Sequence, residues 1–173
     1  SLIEDIIKLS RLDENELTSR FERVDLAEVC RSVVKKLSDK ARNANVSLSF
    51  TGSSCAVSGI VGILHEILFN LTDNAIIYNR EGGEAHISLT ESDGQATLVV
   101  EDTGIGIAHE HLDRIFERFY RVDKSHSRET GGTGLGLTIV KHGALLHGAS
   151  IRLESEPGQG TRDTLVFPCA EVE

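Results

Sequence analysis

The order of the predicted helices and strands is the feature that most limits the folds open to this chain. Hydrophobic spacing and turn residues predict helix, strand, helix, two strands, long loop, helix and two strands. The segments are 25–44, 46–51, 60–79, 84–91, 95–102, the helix LTIVKHGALL, 150–155 and 161–167, with a further short strand at CAVSG. This order is not regular β-α-β alternation. It predicts an α+β fold, with helices on one face of a mixed sheet.

Composition limits the partners of the chain. It has 173 residues and a formal net charge of −9, so its field repels nucleic acid and anionic lipid. The three cysteines, Cys30, Cys55 and Cys169, contain no CxxC pair and predict neither a zinc site nor a disulfide framework. The first residue is Ser and there is no Met, so we expect a fragment of a longer protein.

The first residues have a helical hydrophobic seam. Leu2, Ile6 and Leu9 share one face of residues 1–14, which are too few for a stable isolated helix. The segment either packs on its own domain or, as we favour, is the cut end of a longer coiled coil. Residues 15–24 are predicted to be a linker, and Asp25 with Glu28 predicts a capping box at the next helix.

The helix HEILFNLTDNAIIYN has an unusual polar face. Glu66, Asn70 and Asn74 are spaced four residues apart and therefore stack on one side of it. The face would be ordinary if it were solvated, but residues 60–79 contain no Lys or Arg. Carboxylate and amide oxygens without cations favour a hard metal such as Mg²⁺.

Two glycine-rich segments add to this pattern. DTGIGI follows a strand, and Asp102 at its start could accept a hydrogen bond from an exocyclic amine such as that of adenine, although a plain turn is an alternative. GGTGLGL opens a helix, where backbone N–H groups and the helix dipole favour phosphate. Residues 114–128 between them hold five cations and two anions, which predicts a cationic lid or an amphipathic helix on the core.

Together these motifs resemble the catalytic and ATP-binding domain of bacterial two-component sensor histidine kinases. HEILFNLTDNAIIYN resembles the N box, DTGIGI and GGTGLGL two glycine boxes, RIFERFYRVD the F box and GQGT the third glycine box. The resemblance covers residues 25–168, and residues 1–14 resemble the end of the dimerisation and phosphoacceptor helix. SRLDE and FYRVDKS are similar to the phosphate-sensing and cell-wall-sensing subgroup.

The resemblance implies a two-layer α/β sandwich of the Bergerat type, with about five strands against three helices and an N-terminal helical stub. It implies catalytic roles for Asn70, which would also bind Mg²⁺, and for Glu66, the general base of ATP-hydrolysing relatives. It places the remaining nucleotide contacts at Asn74, Tyr78, Asp102, Gly104, Gly106, Ile107, Lys124, Gly132, Thr133, Gly134, Leu135, Gly136 and Thr161.

Three departures from the family pattern bear on activity. Ile77 replaces the usual phosphate-contacting Lys, which predicts weak nucleotide affinity. Asp163 replaces an aromatic residue, and we expect it to be exposed or paired because a buried unpaired carboxylate is costly. None of the seven histidines has a phosphoacceptor context, so this chain would not phosphorylate itself.

The leading hypothesis is a kinase domain that binds Mg-ATP and transfers the γ-phosphoryl group to a histidine on a separate helical domain. The alternatives are an ATPase of the same fold and a weakened nucleotide-binding or protein-interaction module. The resemblance also implies a response regulator as partner, a homodimeric full-length protein and a cytoplasmic domain of a membrane-anchored protein. The predicted domains are the stub 1–14, the linker 15–24, the ATP-binding domain 25–168 and a tail 169–173.

Overall fold

The structure, a computed structural model, describes residues 20–117 and 136–171. Within them the chain forms β1 (Glu22–Asp25), α1 (Leu26–Asn43), β2 (Ser47–Gly52), β3 (Ala56–Gly59), α2 (Val61–Ile77), β4 (Glu84–Ser92), β5 (Gln95–Asp102), α3 (His109–Leu112), α4 (Gly136–Leu146), β6 (Ser150–Glu156) and β7 (Gly160–Pro168). The stub 1–14, most of the cationic segment, and Lys124, Gly132, Thr133, Gly134 and Leu135 lie outside the described residues.

The main sheet has the strand order β2-β4-β5-β7-β6. The β2–β4 pair is parallel and the other three pairs are antiparallel. A core of buried residues joins the inward side chains of this sheet to α1, α2 and α4. The predicted α+β fold, with a five-stranded mixed sheet against three helices, is confirmed.

Helix α1 begins where it was predicted to begin, but its cap differs from the prediction. The Asp25 carboxylate accepts hydrogen bonds from the N–H groups of Ala27 and Cys55, at 3.0 and 3.1 Å. Glu28 pairs with Arg31 at 2.6 Å, so it does not complete the predicted capping box. One carboxylate thus stabilises the helix start and fixes the chain before β3.

Residues 22–24 were predicted to be linker, but they belong to β1, which pairs with β3 in a second, two-stranded sheet. The sequence ERVD has no two-residue hydrophobic alternation that would predict a strand. Its pairing with residues 56–59, which are distant in sequence, determines the conformation.

The β4–β5 hairpin positions the C-terminal end of β5. Asp93 and Gly94 have φ angles of 53° and 75°, as the two central residues of a type I′ turn require. The resulting register pairs Ala85 with Asp102, and β7 on the other side pairs Thr161 with Asp102. Asp102 therefore lies at the end of the sheet, between two neighbouring strands.

Asp163 is neither exposed nor paired, so the prediction for this residue was wrong. It is 6% exposed, and its Oδ1 atom has no hydrogen-bond partner among the described residues. The sheet register places it between Val100 and Leu153. Burial, with a smaller contribution from the Asp102 charge, raises the pKa of the Asp163 carboxyl to about 8. The group is therefore largely neutral at pH 7, which avoids the cost of burying a charge.

The three cysteines are not all apart in space, although they are far apart in sequence. Cys55 and Cys169 approach each other, with their sulfur atoms within 4.8 Å, while Cys30 is buried in α1. Sheet pairing thus brings two of the cysteines together although they are distant in sequence, and all three are free thiols, without a disulfide. No helix in the described ranges is both long and apolar enough to cross a bilayer.

Candidate nucleotide-binding site

The amide of Asn70 faces the start of α4. Its Nδ2 atom donates to the carbonyl of Glu66 one turn earlier, at 2.8 Å. This bond turns Oδ1 toward Gly136, where an added Cβ would lie 3.2 Å from that oxygen. The last glycine of GGTGLGL and the polar face of α2 are thus brought together, and an acceptor oxygen lies beside them.

The residue that ends α2 contacts the loop after β5 through its backbone. Tyr78, two helical turns beyond Asn70, accepts a hydrogen bond at its carbonyl from Ile105 N–H, at 3.0 Å. A Cβ at Gly104 would clash with that carbonyl, so only glycine fits there. Asn74 lies half-buried between Asn70 and Tyr78. Asn70 and Tyr78 are eight residues apart, or about 12 Å along the helix axis.

Asp73 lies on α2 beside the face that carries Asn70 and Asn74, but its carboxylate is paired with a cation on another helix. Its carboxylate lies 2.6 Å from the ammonium of Lys40 on α1. The ion pair turns this acid toward α1, away from the face that carries Asn70 and Asn74.

Asp102 is held by backbone hydrogen bonds. Its Oδ1 atom accepts from Gly104 N–H at 2.9 Å and from Thr161 N–H at 3.3 Å. Burial raises the pKa of its carboxyl, and these two bonds partly oppose the shift. Both of these bonds end on Oδ1 and neither uses Oδ2.

Two further glycines allow the loops to approach each other. Gly106 has a φ of +71°, and a Cβ there would meet the carbonyl of Glu156. Gly160 has a φ of +125°, and a Cβ there would meet the carbonyl of Asp102. A larger residue at either position would be strained and would push apart the loop after β5 and the β6–β7 turn.

Ser155 is a site residue that the sequence does not predict. Its hydroxyl accepts from Ile107 N–H at 2.8 Å and donates to the Gly160 carbonyl at 3.0 Å. It also lies 2.8 Å from Thr161 Oγ1. A serine hydroxyl has one hydrogen, so Thr161 is the donor of the last bond and keeps only acceptor capacity for a further contact.

Arg80 is the second residue that the sequence does not predict. Its Nε atom donates to the Thr103 carbonyl at 2.7 Å, and its Nη2 atom donates to the carbonyls of Gly104 and Gly158, at 3.2 and 2.7 Å. Gly158 N–H also donates to the Ile105 carbonyl, at 2.8 Å. One guanidinium therefore joins the end of α2, the loop after β5 and the β6–β7 turn.

The cationic segment is described only at its start. Ile115 is buried, and the Phe116 carbonyl accepts a hydrogen bond from Thr138 Oγ1 of α4, at 2.9 Å. The described residues at this point are therefore attached to the helix that Gly136 begins. The predicted contacts of Lys124 and of residues 132–135 lie outside the described part of the chain.

Comparison with known proteins places this geometry in a family. The sequence profile described as "Histidine kinase-, DNA gyrase B-, and HSP90-like ATPase" matches residues 59–171. The sensor-like histidine kinase SenX3 of Mycolicibacterium smegmatis is 42% identical over 168 residues, which cover 96% of this chain and 44% of SenX3. The phosphate regulon sensor protein PhoR of Pseudomonas aeruginosa is 36% identical over 175 residues, which cover 99% of this chain and 39% of PhoR. The chain thus spans less than half the length of these relatives.

Solved structures agree with the sequence comparison. Full-length ShkA in complex with AMPPNP superposes with a TM-score of 0.84 at 27% identity, over 99% of this chain and 36% of ShkA. The mycobacterial sensor histidine kinase MprB superposes with a TM-score of 0.74 at 30% identity, over 87% of this chain and 99% of MprB. The chain therefore belongs to the family of histidine kinase-, DNA gyrase B- and HSP90-like ATPases.

Proposed function

We propose that this chain binds Mg-ATP and transfers the γ-phosphoryl group to a histidine on a separate helical domain. The observation that carries the proposal is the placement of α2, which meets Gly136 at the Asn70 side chain and the loop after β5 at the backbone carbonyl of Tyr78, the residue that ends the helix. The separation of about 12 Å between these two residues suits a nucleotide lying along the helix, with the phosphates at one end and the base at the other.

The base would bind at the Asp102 end. Gly104 N–H and Thr161 N–H hold Oδ1, and Oδ2 would accept a hydrogen bond from the exocyclic amine of adenine. Thr161 Oγ1 would accept a second hydrogen bond, from a water or from the base. At the six-position adenine presents an amine donor where guanine presents a carbonyl, so a carboxylate acceptor facing that position would favour adenine over guanine.

The phosphates and Mg²⁺ would bind at the Asn70 end. The bond from Nδ2 to Glu66 presents the Asn70 Oδ1 atom, a hard oxygen ligand of the kind Mg²⁺ prefers, beside the glycine-rich start of α4. The residues therefore fit the ion, which would neutralise charge on the bridging phosphate oxygens. Asn74, the N–H groups of residues 132–136 and Lys124 would complete the phosphate contacts.

In the proposed reaction, the terminal P–O bond of ATP breaks and a P–N bond to the acceptor imidazole forms, with ADP as the leaving group. Positioning and charge neutralisation would supply most of the rate enhancement, as in other phosphoryl transfers. Glu66, one turn before Asn70, would orient or deprotonate the acceptor group.

The proposal extends to the longer protein. The acceptor histidine would lie on a helical domain of the same or the partner subunit, and a response regulator would receive the phosphoryl group from it. Residues 1–14 would be the end of that helical domain. The whole protein would be a membrane-anchored homodimer with this chain in the cytoplasm, and nucleic acid would not be a partner.

Radiolabelled ATP tests the proposal when it is mixed with this chain and a separate histidine-bearing helical hairpin. Label on the hairpin supports the kinase, whereas phosphate release alone supports an ATPase. Asn70→Ala should abolish transfer, and Asp102→Asn should weaken ATP binding at least about tenfold through loss of a charge-assisted hydrogen bond. Asn43→Ala, at an exposed position on α1, is the control and should change neither phosphoryl transfer nor ATP binding.

The second candidate is a weakened nucleotide-binding or protein-interaction module of the same fold. Asp163 favours it, because this buried carboxyl, whose Oδ1 has no partner in the part of the chain that the structure describes, lies two residue pairs along the β5–β7 register from Asp102. Calorimetry separates the two candidates. Absence of Mg-ATP binding by a folded chain would support the module and contradict the kinase.

A further inference from the structure

Two thiols and a carboxylate meet at the end of the sheet opposite Asp102. Cys55 immediately precedes β3, Glu91 is near the end of β4, and Cys169 immediately follows β7. Their ligand atoms, two sulfurs and one carboxylate oxygen, all lie within 4.8 Å of one another. The group is separate from the nucleotide-binding site, because the length of β5 lies between the two.

The sheet register explains why these side chains converge. Every second side chain of a strand points to the same face of a sheet. Glu91 therefore shares a face with Ile87 and Leu89, and Cys169 shares one with Leu165 and Phe167. Both point toward the helix-covered face. The Glu91 side chain lies at the exposed end of this face, with its carboxylate beside the two sulfur atoms.

Backbone hydrogen bonds hold the two cysteines in place. Cys169 N–H donates to the Gly94 carbonyl at 2.9 Å, and Cys169 forms an isolated antiparallel bridge with Val57. Cys55 N–H donates to Asp25 Oδ1 at 3.1 Å, and its carbonyl accepts from Leu26 N–H at 2.9 Å. The positions of both sulfur-bearing residues are therefore fixed before any ligand binds.

The geometry suits a metal ion better than a disulfide. Tetrahedral Zn²⁺ has bonds of about 2.3 Å to sulfur and about 2.0–2.2 Å to oxygen, which places its ligand atoms about 3.5–3.8 Å apart. Since Val57 opposes Cys169, Cys55 lies diagonally from it, and diagonal Cα atoms are about 7–8 Å apart. A disulfide usually needs Cα atoms at about 4.4–6.8 Å.

We propose that Cys55, Cys169 and Glu91 form a binding site for a divalent thiophilic cation, with Zn²⁺ as the best match and water as the fourth ligand. Both thiols lose a proton when the ion binds, so the two thiolates and the carboxylate coordinate it. The ion joins the segment before β3, and with it the two-stranded sheet, to the hairpin end of the main sheet. Its function is to stabilise this part of the domain.

Cobalt titration of the reduced 173-residue chain tests the site. Tetrahedral Co²⁺ absorbs in the visible, and its bonds to thiolate add a charge-transfer band. We expect both signals to saturate at one equivalent of Co²⁺ and to disappear when one equivalent of Zn²⁺ is added. We also expect Zn²⁺ to raise the melting temperature and to leave the affinity for Mg-ATP unchanged.

Three variants make the test specific. Cys169→Ser and Glu91→Gln, at half-buried and exposed positions, should each weaken Co²⁺ binding at least about tenfold, since even loss of an outer-shell partner costs that much. Cys30→Ala, which removes a thiol outside the cluster, should bind as the parent chain does. Absence of a thiolate-to-cobalt band in the parent chain, or its persistence in Cys169→Ser, would overturn the proposal. So would an air-formed Cys55–Cys169 disulfide whose reduction yields no cobalt binding.

Discussion

Asp163 is a titratable side chain that the sheet buries, and its Oδ1 has no hydrogen-bond partner within residues 20–117 and 136–171. Its pKa is about 8 in the folded chain and near 3.8 when exposed, so between those pH values the folded state holds a proton that the unfolded chain has lost. The free energy of unfolding therefore falls as pH rises through this window, by up to roughly 1.4 kcal/mol per pH unit, and levels off above it.

The first prediction is that Asp163→Asn removes most of this fall and makes the domain more stable at pH 8. Asparagine has nearly the same shape and no charge to desolvate. Urea unfolding at pH 5, 6.5 and 8 measures the effect. Asp39→Asn, whose side chain is 82% exposed, is the control and should keep the parent slope. A slope equal to the parent's in Asp163→Asn would contradict the burial argument.

Ile77 lies on α2 at the position where the family pattern has a lysine. The second prediction is that Ile77→Lys strengthens Mg-ATP binding about tenfold or more, because a new ammonium–phosphate contact adds roughly 1.5–3 kcal/mol. Calorimetry measures the affinity, and Val61→Lys at the other, exposed end of α2 controls for the change in net charge. Equal affinities for the Ile77→Lys and parent chains would show that this face does not meet phosphate.

At the scale of elements, Arg80 decides how α2 and two loops fit together. The third prediction is that Arg80→Ala weakens Mg-ATP binding about tenfold and speeds hydrogen exchange at the N–H groups of Ile105 and Gly158. Arg80→Lys should recover little of the loss, because an ammonium lacks the planar fork that reaches carbonyls on two loops. Arg152→Ala, an exposed arginine paired with Glu154, should behave as the parent chain does. Unchanged exchange at Gly158 would count against this role.

His147 connects the end of α4 to the start of α2. Its Nδ1 donates to the Gly143 carbonyl at 2.7 Å, so its Nε2 accepts from Ile60 N–H at 3.1 Å. Burial lowers the pKa of this imidazole, and a second proton would break the bond to Ile60. The fourth prediction is that the stability of the domain falls as pH decreases below about 6.5. Thermal melting measures this loss, which should be smaller in His147→Gln. His86→Gln is the control.

Most elements follow from local chemistry, which is why the sequence predicts them. The Asp93–Gly94 turn, the Asp25 cap and the hydrophobic stripes of α1 and α2 act over a few residues. Strand β1 does not follow from local chemistry, because its partner lies about 34 residues away in sequence. Its conformation depends on tertiary pairing.

At the scale of the whole molecule, the motifs predict which segments could form a nucleotide site but not what holds those segments together. Asn70, Gly136, Tyr78 and Gly104 converge in pairs, as the motif order suggests. Arg80 and Ser155 were missed because they bind backbone groups far along the chain, and such contacts leave no pattern in the sequence. Asp163 was predicted wrongly because protonation, rather than exposure or pairing, resolves its burial.

The hydrogen bond between Thr138 and Phe116 has a consequence for how such domains diversify. Phe116 and Thr138 flank the stretch 118–135, and this bond holds the two flanking points together. The entropic cost of closing the stretch then depends only weakly on its length. Each doubling of length costs only about 0.6 kcal/mol. Exchange of this interval for a longer or shorter one should therefore leave the remaining scaffold intact, so that sequence variety can evolve there at little thermodynamic cost.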